Sequence, residues 1–162
     1  RKWRFAHRGF HDKPRIPENS IPAFRRAVQC GFGAELDVHL MKDGHLAVIH
    51  DASLLRTAGA DVYIEDLTAG ELESYRLEGT EQRIPLLEEV LPLFVGRAPL
   101  IVELKAERGN AEALAAAVAA LGWSEGRSAL AALAAVGVYY CVLWLFRHKI
   151  EHTIHFSITK NY

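Results

Sequence analysis

Ala34-Glu35-Leu36-Asp37-Val38-His39-Leu40 alternates apolar and polar side chains without a break. As a strand, whose side chains point to opposite faces in turn, it sets Glu35, Asp37 and His39 on one face. Three other stretches carry apolar runs rich in Val, Ile, Leu or Phe: residues 3–8, 45–51 and 100–105. Such runs are what strands buried on both faces show. All four are therefore read as strands of one parallel sheet.

Helical patterns lie between them. Residues 20–30 open with Ser20-Ile21-Pro22 and stop before Gly31, which supplies a cap, a first-turn proline and a glycine end. Thr68 and Glu71 have the spacing of a capping box for a helix over residues 68–76. Residues 86–94 are apolar with Glu88 and Glu89 outward, and Pro92 must end or bend that helix. Residues 110–121 are alanine-rich, with Asn110 as cap and Gly122 as stop. Strands alternating with helices give βα units, hence an α/β fold.

The 162 residues are 50% hydrophobic and 24% charged, a globular composition that suits a single domain over residues 1–162. Nineteen basic residues against twenty acidic ones leave a net charge of -1, with no electrostatic footprint for nucleic acid and no polybasic membrane patch. Cys30 and Cys141 lie far apart with no C-x-x-C, which argues against a disulfide scaffold or zinc knuckle and for a reducing compartment. A cytoplasmic location is expected, with no cleavable signal sequence at the N-terminus. Residues 128–146 run for nineteen positions without a charge, followed by Arg147-His148-Lys149, so length and flank permit a membrane anchor. Five alanines and the dividing Gly137 favour burial in the protein instead.

The titratable groups have a pattern of their own. Phe5-Ala6 runs into His7-Arg8, Val48-Ile49 into His50-Asp51, and Leu100-Ile101-Val102 into Glu103-Leu104-Lys105. Parallel α/β folds place their chemistry at the carboxyl ends of strands. Glu35, Asp37 and Glu103 would repel one another unless a cation sits among them, and all-oxygen ligands suit Mg²⁺ or Ca²⁺. The plainer alternative makes them strand-end charges paired with Arg8 and Lys105. His7 and His50 can move protons near neutral pH. The other histidines (His11, His39, His45, His148, His152 and His155) are read as structural or surface residues. Arg8 and Lys105 offer fixed positive charge for an anion. Together these groups describe phosphoryl transfer without a protein nucleophile, and no G-x-S-x-G motif occurs.

An ordered set of short motifs carries a resemblance. It comprises Ala6-His7-Arg8-Gly9; Pro17-Glu18-Asn19-Ser20 with Ala23-Phe24; Glu35-Leu36-Asp37-Val38 before Lys42-Asp43-Gly44; His50-Asp51 with Leu54 and Arg56; and Glu103-Leu104-Lys105. Thr68 with Glu71-Leu72, and the stretch from Ile84 to Leu91, extend it. Over about residues 3–110 the chain resembles the glycerophosphodiester phosphodiesterase family. The resemblance implies a TIM-type, PLC-like phosphodiesterase barrel that hydrolyses small glycerophosphodiesters to glycerol 3-phosphate and an alcohol. It implies a divalent metal, Mg²⁺ or Ca²⁺, held by Glu35, Asp37 and Glu103. His7 and His50 become acid and base, Arg8 and Lys105 phosphate ligands, and Glu18 and Asn19 supports of the site. It also implies attack by the substrate's own glycerol hydroxyl, through a cyclic phosphate. Two alternatives stay open: a phosphodiesterase for another phospholipid head group, and a non-catalytic half-barrel that binds or assembles.

A barrel of this type needs eight βα units and roughly 200 residues. Four units are read by residue 121, and residues 122–162 form an atypical C-terminal segment. Tyr139-Tyr140-Cys141 and Asn161-Tyr162 echo the family's fifth and sixth strands. An incomplete barrel with open sheet edges is expected to be marginal in solution and to associate or aggregate, with activity well below that of a full-length family member.

Overall fold

The structure is a computed structural model that describes residues 2–124 and 139–143. At its centre is a sheet of five strands: β1 (Phe5–Ala6), β2 (Gly33–Leu40), β3 (Leu46–Val48), β4 (Leu100–Leu104) and β5 (Tyr139–Leu143). The order is β1-β2-β4-β5, and β3 pairs with the far end of β2. Among the described residues five helices accompany it: α1 (Ile21–Gln29), α2 (Leu55–Ala58), α3 (Ala69–Leu72), α4 (Leu87–Phe94) and α5 (Ala111–Ser124). A 3-10 turn spans Ile64–Asp66.

The alternation of β2 decides the layering. Ala34, Leu36 and Val38 join Leu100, Val102 and Leu104 of β4 in the main core, which α1, α4 and α5 cover. Glu35, Asp37 and His39 take the opposite face. Helix α1 forms as its sequence dictates. Ser20 Oγ accepts from the Ala23 N–H at 3.3 Å, Pro22 sits in the first turn, and Gly31 follows with φ 72°. Phe24 is fully buried and meets Phe94 edge-on, with ring centroids 6.1 Å apart. The capping box of Thr68 and Glu71 forms, but α3 ends at Leu72 rather than reaching residue 76. There Ser74 turns its hydroxyl back to the Glu71 carbonyl at 2.9 Å, a local bond that competes with helix extension. Pro92 falls near the end of α4, and α5 continues past Gly122 to Ser124.

The stretch at residues 45–51 corrects the all-parallel expectation. β1–β2 and β2–β4 are parallel, whereas β3 runs antiparallel to β2, with Val38 opposite Val48. Only residues 41–45 join the two strands. The Met41 N–H donates to His45 O at 2.8 Å, and Gly44 turns with φ 89°. A parallel crossover takes a dozen or more residues, so this link can make only a hairpin. The four expected units are thus three parallel strands and one hairpin return. β5 likewise corrects the echo at Tyr139-Tyr140-Cys141: it runs antiparallel to β4, where the next barrel strand would be parallel. The rest of the apolar stretch at residues 128–146, and Asn161-Tyr162, lie outside the described residues. Among the described residues, no helix is long and apolar enough to cross a membrane.

Between β2 and α4 the chain builds an insertion around a smaller core that includes Met41, Leu54, Ile64, Leu72 and Ile84. β3 serves both cores: Leu46 and Val48 belong to the main one, Ala47 and the following Ile49 to the smaller.

Two substitutions test this account. Ser20→Ala should lower the unfolding free energy by about 1 kcal/mol, the usual worth of an N-cap. Phe24→Ala should cost about 3–5 kcal/mol through lost burial and a cavity. Urea titration measures both, and a Phe24→Ala loss no larger than that of Ser20→Ala would contradict the packing described.

Candidate active site

The parallel register of β2 and β4 sets Asp37 directly opposite Glu103. Glu35, two residues back on β2, points to the same face. One carboxylate oxygen from each of the three lies within 4.8 Å of the others. Asp37 is fully buried, and its Oδ2 accepts from Asn19 Nδ2 at 2.9 Å. Its Oδ1 has no hydrogen bond among the described residues, although Lys105 Nζ stands 3.3 Å away. Lys105 donates instead to Glu103 Oε1 at 2.6 Å, and Arg8 Nε lies 3.5 Å from Asp37 Oδ2. The strand-end pairing with Arg8 and Lys105 is therefore present, but two cations face three carboxylates. Burial and the charge of Asp37 push the Glu35 carboxyl up to about 7. Hard oxygens, a buried one without a hydrogen bond, and a surplus of negative charge together fit a hard divalent cation.

The loop after β1 reaches the triad through unusual backbone. Arg8 and Asn19 both have left-handed φ, 53° and 52°. Such conformations in non-glycine residues cost on the order of 1 kcal/mol or more and persist only when neighbours fix them. Here the Asn19 N–H donates to the Arg8 carbonyl at 2.8 Å, and the Arg8 N–H to Glu35 Oε2 at 3.0 Å. Gly9 follows with φ 80°, so close to α1 that a Cβ would stand 2.8 Å from that of Ala23. Glycine is required there for both reasons.

His7 leaves the end of β1 with 70% of its side chain exposed, and its Nε2 lies 3.8 Å from Glu35 Oε2. Partial burial and the Arg8 charge hold it below the usual imidazole range, and the charge of His50 also reaches it. His50 arrives by another route than the sequence suggested. It follows β3, the antiparallel return, which carries it back alongside β2, where the Ile49 N–H donates to Asp37 O at 3.1 Å. The two histidines, the triad, Arg8 and Lys105 are thereby gathered at one end of the sheet.

Glu18 and Asn19 join this site from the first loop. The buried Glu18 accepts from Arg8 at 3.0 Å, Lys13 at 2.8 Å and Arg56 at 2.7 Å. Burial opposes its charge, but Arg56 and Lys13 overcome that and hold it at about 2. Several neighbours were given no role in the site by the sequence. Asp51 Oδ1 receives His50 Nδ1 at 2.6 Å, and Asp51 Oδ2 meets Arg56 Nε at 2.5 Å, which keeps that carboxyl near 2. His39, read as a structural residue, is wholly buried, with Nε2 3.0 Å from the His50 carbonyl and Nδ1 3.5 Å from Glu65. The alternation of β2 had already put His39 on the face of Glu35 and Asp37, which was the available signal. For Asp51 the signal was adjacency to His50; for Arg56 there was none beyond the resemblance.

Comparison with known proteins identifies the family. Residues 7–127 match the model of the glycerophosphoryl diester phosphodiesterase family. A glycerophosphodiester phosphodiesterase of Caldanaerobacter subterraneus subsp. tengcongensis is 40% identical over 111 residues, which are 64% of this chain and 44% of that protein. A lysophospholipase D of Rattus norvegicus is 39% identical over 101 residues, 54% of this chain and 32% of its own. Among solved structures, an Oleispira antarctica phosphodiesterase in complex with the product sn-glycerol-3-phosphate aligns with a TM-score of 0.64 at 29% identity, covering 75% of this chain and 52% of that one. The chain thus spans less than half the length of the curated relatives it matches. The parallel part of the sheet is accordingly an arc of the TIM barrel found in such enzymes, and with the family match over residues 7–127 the chain belongs to the glycerophosphoryl diester phosphodiesterase family.

Proposed function

We propose that this site hydrolyses glycerophosphodiesters to glycerol 3-phosphate and an alcohol, with a divalent metal, Mg²⁺ or Ca²⁺, held by Glu35, Asp37 and Glu103. The observation that carries the reading is the buried Asp37 Oδ1, left without a hydrogen bond among the described residues and grouped with two further carboxylates, one of them 3.8 Å from His7 Nε2. The product named with the Oleispira antarctica phosphodiesterase supports the substrate class. A bound divalent ion would supply Lewis-acid polarisation of a phosphoryl oxygen.

The chain's own groups account for the remaining chemistry. Arg8 and Lys105 would hold the charged phosphate oxygens. The glycerol hydroxyl beside the phosphate gives its proton to one histidine as its oxygen bonds to phosphorus. The other histidine protonates the departing alcohol oxygen as the old P–O bond breaks. Water then opens the cyclic phosphate with the two roles reversed, so protons balance over the cycle. His7, held below its ordinary range, suits the base of the first step, which leaves His50 as the acid.

The similarity to a lysophospholipase D favours one second reading, a related phosphodiesterase acting on a lysophospholipid head group. Parallel assays with glycerophosphocholine and lysophosphatidylcholine separate the two. Metal binding without turnover on either would assign this chain the binding role of a half-barrel. The 162-residue chain is also proposed to self-associate, because β1 and β5 each have one sheet neighbour among the described residues. Light scattering during size-exclusion chromatography tests that, and a stable monomer would refute it.

Chelation should abolish turnover, and Mg²⁺ or Ca²⁺ should restore it; Asp37→Ala should lose metal binding by calorimetry. Undiminished turnover in the metal-free protein would sink the metal assignment. His7→Ala and His50→Ala should each lower turnover by roughly 10²-fold or more, with unchanged circular dichroism.

Glu35 adds a pH signature. Its folded value of about 7 exceeds the ordinary 4.5. Between those values the metal-free native state holds a proton that the unfolded chain has released. Stability therefore falls as pH rises through that window, and the loss is complete above about 7. Glu35→Gln should remove this slope and stabilise the metal-free protein at pH 8 while weakening metal binding. Denaturant titrations at pH 5 and pH 8 check it; a wild-type stability that rises across the window would contradict it.

A further inference from the structure

Arg56 sits on α2, within the insertion, yet its guanidinium ends among the site residues. Its Nε donates to Asp51 Oδ2 at 2.5 Å and its Nη2 to Glu18 Oε1 at 2.7 Å. The other Asp51 oxygen takes His50 Nδ1 at 2.6 Å. The same Glu18 oxygen takes Arg8 Nη1 at 3.0 Å. An ionised carboxylate only accepts hydrogen bonds, so in this contact His50 Nδ1 carries the proton. Nε2, which makes no hydrogen bond among the described residues, is then the nitrogen that gains and loses one.

Asp51 is in part exposed and follows a strand end, so by itself it has rotamer freedom. Glu18 is buried, with a further cation, Lys13, on its second oxygen at 2.8 Å. We propose that Arg56 is a positioning residue that clamps Asp51 to the buried Glu18 and so fixes His50 with its proton on Nδ1 and Nε2 open to the substrate. The clamp rests on the reading of His50 as a proton carrier. It needs a planar fork that donates in two directions from one rigid group, which an ammonium does not offer. Through Glu18 it also ties the proton carrier to Arg8, the phosphate ligand.

The test is ¹⁵N NMR of the histidine-labelled 162-residue chain at about pH 8.5, where an ordinary imidazole is neutral. The His50 signals are assigned by their loss in His50→Gln. Wild type should report the Nδ1–H tautomer. Arg56→Gln and Arg56→Lys should each shift His50 toward the Nε2–H form. Their kcat should fall by roughly 10- to 100-fold, the scale of a misplaced reacting group, with KM nearly unchanged. Lys13→Gln removes a cation from the same Glu18 without touching Asp51, and should leave the tautomer as it is. An unshifted tautomer in Arg56→Gln, an equal shift in Lys13→Gln, or full wild-type behaviour of Arg56→Lys would each overturn the clamp. Failure of the proton-carrier reading looks different: His50→Gln would keep turnover while the tautomer results stand.

Discussion

Mutual repulsion among Glu35, Asp37 and Glu103, fixed by the register of two hydrogen-bonded strands, is the constraint around which the site is arranged. Backbone pairing brings the carboxylates together whether or not their charges are compensated, because β2 and β4 are held by the packing of their other faces. Everything nearby responds to that charge. Lys105 and Arg8 lean in, Asn19 donates to Asp37, and Arg8 and Asn19 accept left-handed backbone to do so. The response falls one charge short, and Glu35 absorbs the difference by holding a proton up to about pH 7. A divalent ion replacing that proton would leave the triad and its two cations with one net positive charge, the complement of a singly charged phosphodiester.

The sequence made this half of the site readable because it obeys local rules. Strict alternation put Glu35, Asp37 and His39 on one face, and the apolar run before Glu103 supplied the neighbouring strand. Ser20, Pro22 and Gly31 framed α1 by capping chemistry that needs no tertiary context. Direction was not readable in the same way. An apolar run at residues 45–51 looks alike in a parallel or an antiparallel strand, and the information lay in the five-residue link that precludes a crossover.

The half of the site around His50 was harder to see for a different reason. Its partners come from separate parts of the chain: Glu18 from the first loop, Asp51 from the hairpin return, Arg56 from α2. Nothing in the spacing of an exposed-looking arginine announces that it spans two carboxylates. Burial of Glu18, which makes it an anchor, is a property of the folded state alone. The family resemblance carried Glu18, Asp51 and Arg56 into view, but the geometry shows how they act on one another. Every site residue falls within the stretch that matches the family.

β3 belongs to two cores at once, Leu46 and Val48 in one and Ala47 in the other, with Ile49 continuing into the second. Glu35, Asp37 and Glu103 stand on strands of the larger core, whereas His50 follows the strand that is common property. The two cores also differ in size, so thermal fluctuation need not loosen them together. Partial opening of the smaller one would withdraw the imidazole while leaving the carboxylate cluster assembled. The carboxylate cluster and the His50 imidazole are therefore separable in energy, with the hairpin as the seam between them.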